Sequence, residues 1–229
     1  MKIIIHTLTY GRERTFDVFA HALHELDEAY PQINFECIVV GTGDKNMVEK
    51  YGFEYHEFSN QYLSEKAQFG LDLCKDRADY YLFLGSDDIV RPDTFQYYLD
   101  NLCDFIAPMD MVFWYEGHLY YSPGYNEYHP RAGESLGVGR MLSNDLLSKC
   151  GWELWPEQKV KNIDYQSFRK IMQHDPERHF FYQTQMEGLI CDIKTSENLS
   201  EFDPIRFCKV GEPYHYLSKK TVKLLNLVK

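Results

Sequence analysis

The chain has 229 residues, 44% hydrophobic and 26% charged, enough apolar material for a sizeable core in one large domain or two small ones. A formal net charge of −11 argues against broad, nonspecific nucleic-acid binding, which depends on Lys and Arg neutralising phosphates. No apolar run approaches the roughly 18 residues needed to span a bilayer, the N-terminus lacks the apolar stretch of a signal peptide, and the six cysteines form no CxxC pair, so a cytoplasmic protein with free buried thiols and no integral membrane segment is expected.

Lys2–Leu8 is rich in β-branched residues and predicts a strand. Phe16, Phe19, Ala20, Leu23, Leu26 and Ala29 recur at helical spacing, so Phe16–Tyr30 predicts a helix stopped by Pro31. Phe35–Val40 predicts a second strand, ended by Gly41-Thr42-Gly43-Asp44. A short helix is expected over Asn46–Tyr51, a strand over Phe53–Phe58 and a helix over Leu63–Arg77. Tyr80–Leu84 predicts a buried strand, closed by Gly85-Ser86-Asp87-Asp88. Beyond Pro92-Asp93, helices are expected over Thr94–Phe105, Ser143–Cys150 and Asp164–Gln173, and strands over Met111–Tyr115, Leu119–Tyr121 and Leu189–Lys194. Leu217–Lys229 carries four Lys and no acid among apolar residues. It predicts a short docking helix, with contact to a membrane surface as the alternative.

Strands alternating with helices imply a parallel sheet with helices on both faces, and in such sheets ligands bind at the carboxyl ends of the strands. Three polar, Gly-containing segments sit at those ends: Thr9–Arg14, Gly41–Asn46 and Gly85–Asp88. With no internal repeat or linker, a single domain over 1–229 is expected, with halves 1–93 and 94–229.

The sharpest chemical signal is the apolar strand that runs into Asp87 and Asp88. Two carboxylates forced together repel, and a divalent ion with oxygen ligands relieves the repulsion. A solvated turn with Asp88 as a cap is the alternative. In the first loop, Tyr10 offers a stacking face, Thr9 a hydroxyl and Arg12 a bidentate phosphate partner. The glycines of Gly41-x-Gly43 allow close backbone approach to a ligand. Read as a dinucleotide fingerprint the segment fails, because it lacks the third glycine and follows the second strand.

Tyr80–Asp93 resembles the DxD region of GT-A glycosyltransferases, in the layout of the family 2 enzymes. It is similar to a small, viral-like variant in which Gly-Ser-Asp-Asp replaces the strict motif, with Ser86 where the first acid would stand. Thr7-Leu8-Thr9-Tyr10-Gly11-Arg12 resembles the loop after the first strand of these enzymes. The resemblance covers about residues 2–100 and, more loosely, 130–170. It implies an α/β, GT-A fold with a Rossmann-like, mostly parallel central sheet flanked by helices. It further implies that Asp88 binds Mn²⁺ or Mg²⁺ directly, that Asp87 assists, and that Thr9, Tyr10, Arg12, Asp44 and Lys66 surround the nucleotide. For Lys66 the alternative is an exposed helical Lys paired with an acid.

Gly133–Met141 is expected as a flexible loop leading to a helix, with Arg140 meeting a phosphate or sugar. Lys161-Asn162-Ile163-Asp164 falls where inverting family members carry a Glu-Asp pair, so the resemblance makes Asp164 the general base. A helix cap is its alternative. By the same resemblance His215 is a further metal ligand and Lys194 neutralises the diphosphate. The expected donor is a nucleotide-sugar, a UDP-sugar by family habit. Acceptor candidates are a glycan, a lipid-linked sugar, a protein or a hydroxymethylated base in viral DNA. The rivals are a nucleotidylyltransferase, a non-catalytic nucleotide- or sugar-binding module and an interaction protein.

Overall fold

The computed structural model describes residues 1–183, 190–196, 198, 202–211 and 213–228. The first part of the chain alternates strictly: β1 (Lys2–Leu8), α1 (Glu13–Ala29), β2 (Asn34–Gly41), α2 (Lys45–Glu49), β3 (Glu54–Glu57), α3 (Leu63–Cys74) and β4 (Tyr80–Phe83). β1 lies between β2 and β4, and β3 pairs outside β2, all in parallel. The central strands are covered on both faces, so their period-two alternation divides each between two cores. Ile3, Ile5 and Leu82 pack with Phe16, Phe19 and Leu23 of α1. Ile4 and Tyr81 pack with Ala67, Leu71 and Cys74 of α3. A one-residue slip would exchange those two sets, which pins the register.

The rest of the chain leaves this rhythm. It runs β5 (Asp88–Val90), α4 (Pro92–Asp100), β6 (Phe105–Pro108), β7 (Met111–Tyr115), β8 (His118–Ser122), β9 (Arg140–Ser143), α5 (Asn144–Lys149), α6 (Ile163–Met172), β10 (Arg178–Phe181), β11 (Ile190–Ile193), β12 (Cys208–Gly211) and α7 (Lys219–Leu225). Among the described residues the strands form two sheets, ordered β10-β6-β9-β4-β1-β2-β3 and β12-β8-β7-β11-β5. β9 runs antiparallel to both its neighbours, so the larger sheet is mostly but not wholly parallel. Strands from beyond residue 93 complete the larger sheet, and the two halves of the chain interleave.

Three expectations change. The helix expected over Thr94–Phe105 ends at Asp100, because Phe105 is fully buried and opens β6 between β9 and β10. The loop expected over Gly133–Met141 yields at Arg140 to β9, whose residues pair with β4 from Phe83↔Arg140 to Tyr80↔Ser143. Asp88 closes the turn from Gly85, its N–H on the Gly85 carbonyl at 3.1 Å, and also begins β5, antiparallel to β11, so it does not stand in a solvated turn. All three depend on pairings distant in sequence, which local pattern does not encode. Ser143 caps α5, its side chain accepting from the Leu146 N–H at 3.1 Å.

The C-terminal segment docks. Leu217, Leu225 and Val228 are buried with Val18 and Ala22 of α1, while Leu227 stays exposed. No helix among the described residues is long and apolar enough to cross a membrane. The six cysteines are free thiols, four of them buried.

Candidate active site

A cleft of about 400 Å³ opens at the carboxyl ends of β1 and β4. Thr9, Tyr10, Arg12, Lys66, Asp87, Asp88, Arg140, Asp164 and Lys194 all line it. Asp44 and His215 do not.

Lys66 organises the first wall. It stands on α3 but is only 1% exposed, so it is not the exposed helical Lys of the alternative reading. Its Nζ donates to the Thr9 carbonyl at 2.6 Å, the Asn60 side chain at 3.1 Å and the Thr42 hydroxyl at 3.2 Å. One ammonium thus ties together three loops. Burial pushes its pKa down to about 8, against the pull of Asp44 and Glu57. Asp44 acts from behind the loop: its carboxylate accepts the Gly11 N–H at 3.0 Å, and Gly11 takes φ +63°, which favours glycine. The Thr9 hydroxyl is buried with no partner among the described residues, and Tyr10 projects 59% exposed at the cleft.

The acids form the second wall. The antiparallel register of β5 and β11 sets Asp192 opposite Asp88. Carboxylate oxygens of Asp87, Asp88 and Asp192 lie within 4.8 Å of one another. Asp87 is held by Arg12 at 2.6 Å and by the Asn198 amide at 2.7 Å. Asp88 is 5% exposed and accepts the Gly85 N–H. Burial, then the charges of Asp192 and Asp87, push its pKa well up. Burial likewise raises Asp192 to about 6, although Lys194 bonds it at 2.5 Å. Asp192 Oδ1 is buried and takes no hydrogen bond from the described residues.

Asp164 stands apart on α6, and Arg140 lies beside it. The Arg140 guanidinium is buried and spent on the protein: it donates to the carbonyls of Leu136 at 2.7 Å, Asp164 at 2.7 Å and Ser135 at 2.9 Å, and to the Ser167 hydroxyl at 2.9 Å. The expected helix N-terminus at Arg140 is absent; a strand holds it, and its donors brace α6 against the 133–139 loop. The N-cap position of α6 belongs to Asn162, not to Asp164. His215 is exposed in a short 3-10 turn, outside the cleft lining and the acid cluster; a strand-borne acid, Asp192, occupies the third position instead.

Asp192, Asn198 and His6 also line the cleft and were not anticipated. Asp192 carried a signal, an acid inside the apolar run Ile190-Cys191-Asp192-Ile193. His6 is 3% exposed on β1, stacked 6.3 Å from Trp155, and burial pushes its pKa down to about 4, so it is neutral. Nothing local distinguishes it from a core strand residue.

No protein-family model matches the sequence, and no curated protein matches it. Solved structures do. The chain is similar to S. aureus TarS 1–349 in complex with UDP-GlcNAc, at 14% identity and a TM-score of 0.60, covering 99% of this chain and 66% of that one. It is similar to the bifunctional IspDF from Campylobacter jejuni, at 13% identity and a TM-score of 0.52, over 80% of this chain and 50% of that one. CMP:2-keto-3-deoxy-manno-octonic acid synthetase complexed with CTP gives 14% identity and a TM-score of 0.51, over 80% and 90%. The chain therefore spans about two thirds of the TarS chain and half of IspDF. The architecture, a mixed sheet flanked by helices, is shared with these structures.

Proposed function

We propose that the chain is a glycosyltransferase that takes a nucleotide-sugar, a UDP-sugar first among candidates, and passes the sugar to an acceptor hydroxyl. The observation that carries this reading is the cleft itself, in which a three-carboxylate cluster, four basic side chains and a separate carboxylate on α6 share one space. The similarity to TarS bound to UDP-GlcNAc supports the choice of donor. We take residues 1–229 as one domain, with the nucleotide bound by the half that ends near residue 93.

The three carboxylates fit a divalent cation, Mn²⁺ or Mg²⁺: hard oxygen donors converge, and the buried Asp192 Oδ1 has no hydrogen-bond partner among the described residues. Asp87, Asp88 and Asp192 would hold the ion, which when bound supplies Lewis-acid stabilisation of the leaving diphosphate. The chain's own groups do the rest. Tyr10 stacks on the base, and Lys66 holds the first loop in place. Arg12 orients Asp87, and Lys194 balances the phosphate charge. Asp164 takes the acceptor's proton while its hydroxyl oxygen attacks the anomeric carbon. The bond from that carbon to the diphosphate breaks, and the configuration inverts.

The likeness to CMP:2-keto-3-deoxy-manno-octonic acid synthetase supports a second reading, nucleotidyl transfer. One assay separates the two. The protein is incubated with a panel of nucleotide-sugars, or with nucleoside triphosphates and sugar acids or phosphates, in Mn²⁺, Mg²⁺ or chelator, beside Asp88→Ala and Asp164→Asn. Metal-dependent release of one nucleoside diphosphate, lost in Asp88→Ala, supports the glycosyltransferase. Pyrophosphate release supports the second reading. No turnover, together with no nucleotide raising the melting temperature, refutes both.

A further inference from the structure

Asp164 is not alone on α6. Arg131, in the loop between β8 and β9, donates to Asp164 Oδ2 from NH2 at 2.8 Å and to Glu134 Oε2 from Nε at 2.7 Å. Its guanidinium lies 4.3 Å from the centre of the Tyr125 ring and 5.5 Å from that of Tyr165, so it is gripped on its edge by two carboxylates and on its face by an aromatic ring. The Tyr125 hydroxyl also reaches Asp164 Oδ2, at 3.4 Å, and its ring stacks on His129 at 4.7 Å. Both contacts fall on Oδ2; Oδ1 takes neither. Gly137 packs closely against the Asp164 stem, where an added Cβ would stand 2.6 Å from Asp164 Cβ. Asp164 lines the cleft and Arg131 does not.

We infer that Arg131 is a positioning residue for Asp164, fixing one carboxylate oxygen so that the other is presented, ionised, to the acceptor hydroxyl. The inference rests on Asp164 being the base. The logic is that of any oriented base: a group that must accept a proton in one direction needs its rotamer locked by a partner outside the reacting space. The loop supplies that partner with its own anchors, Glu134 and Tyr125. A lysine offers a point charge, not the fork that spans two carboxylates.

The charge environment agrees. Burial raises the Asp164 pKa, but Arg131 and, from β9, Arg140 outweigh it and leave the carboxyl below its ordinary value. Among the described residues, Glu134, Tyr125 and His129 from the same loop as Arg131, and Tyr165 of α6, are the other titratable groups at this pair. With a depressed pKa the carboxylate is ionised well into the acid range, and removing Arg131 moves its titration upward.

Two readouts test this in the full chain with the donor that the nucleotide-sugar panel selects. Carboxyl ¹³C shifts, assigned with Asp164→Asn, follow the Asp164 titration directly, and the pH profile of kcat/KM follows turnover. Arg131→Met is expected to raise both the Asp164 midpoint and the acid limb of the profile by about one pH unit or more, with kcat reduced and donor KM unchanged. Arg131→Lys retains the charge, so its acid limb stays near that of the native protein while kcat falls. An Asp164 titration unmoved in Arg131→Met, or native kcat in Arg131→Lys, overturns the inference. Native turnover in Asp164→Asn would instead overturn the base reading beneath it. Thermal unfolding of each variant separates either result from loss of fold.

Discussion

Replacing Lys66 with Met removes one ammonium that serves three loops, and the cost can be worked from its partners. The Thr42 hydroxyl keeps its own bond to the Phe58 carbonyl at 2.6 Å, and Asn60 is exposed, so water replaces the lost donor there. The Thr9 carbonyl belongs to a buried residue and is left without its side-chain donor. One buried acceptor orphaned costs about 1–3 kcal/mol. Methionine fills the space of the lysine stem, so little cavity cost is added. The pH dependence has a definite sign. Burial holds the folded-state pKa of Lys66 near about 8, whereas an unfolded lysine keeps its proton to about 10.4. Between those values the unfolded chain binds more protons, and native stability rises with pH through this group. The variant lacks that gain. Urea unfolding across this window is expected to show Lys66→Met less stable near neutrality, with the gap widening as pH rises. A variant as stable as the native protein, with a flat difference across the window, would refute the account of Lys66 as a buried, charged tie.

Asp192→Asn removes one of three mutually repelling carboxylates, so the metal-free protein is expected to melt at a higher temperature while its Mn²⁺ affinity, read by calorimetry, falls at least about tenfold. Asp164→Asn should lower turnover by about 10²–10⁴-fold with nucleotide affinity unchanged, because the base touches only the acceptor side of the reaction. Gly70→Ala places a methyl 2.1 Å from His6 Nε2 and 2.8 Å from Val40 Cγ2. Both neighbours are fully or almost fully buried, so a loss of about 1–3 kcal/mol or more is expected in denaturant unfolding. Leu225→Ala empties a fully buried site between α7 and α1 and should cost about 2–5 kcal/mol; a change below the error of the measurement would mean that α7 does not dock.

The first part of the fold was legible because each element carries its own period. β1 and β4 are short apolar runs and α1 shows a helical stripe, so the type and order of the elements follow from local pattern, while helix ends shift by up to three residues. The loops after β1 and β4 were legible for a related reason: polar, Gly-containing segments at strand ends have few structural uses. That brought Thr9, Tyr10, Arg12, Asp87 and Asp88 to one cleft, as expected. Lys66 also lines the cleft, but amphipathic spacing does not reveal that a lysine is 1% exposed.

The sequence by itself therefore determined the α/β alternation, the strand-end location of the site and the acid pair. Only the tertiary structure decided that β9 inserts between β4 and β6, that Asp192 and not His215 joins the acids, and that Arg140 braces α6. The physical reason is common to all three. Each is set by a partner far along the chain, through a strand register or a buried donor's need for acceptors, and such needs are met wherever the packed chain offers them, leaving no period or motif behind.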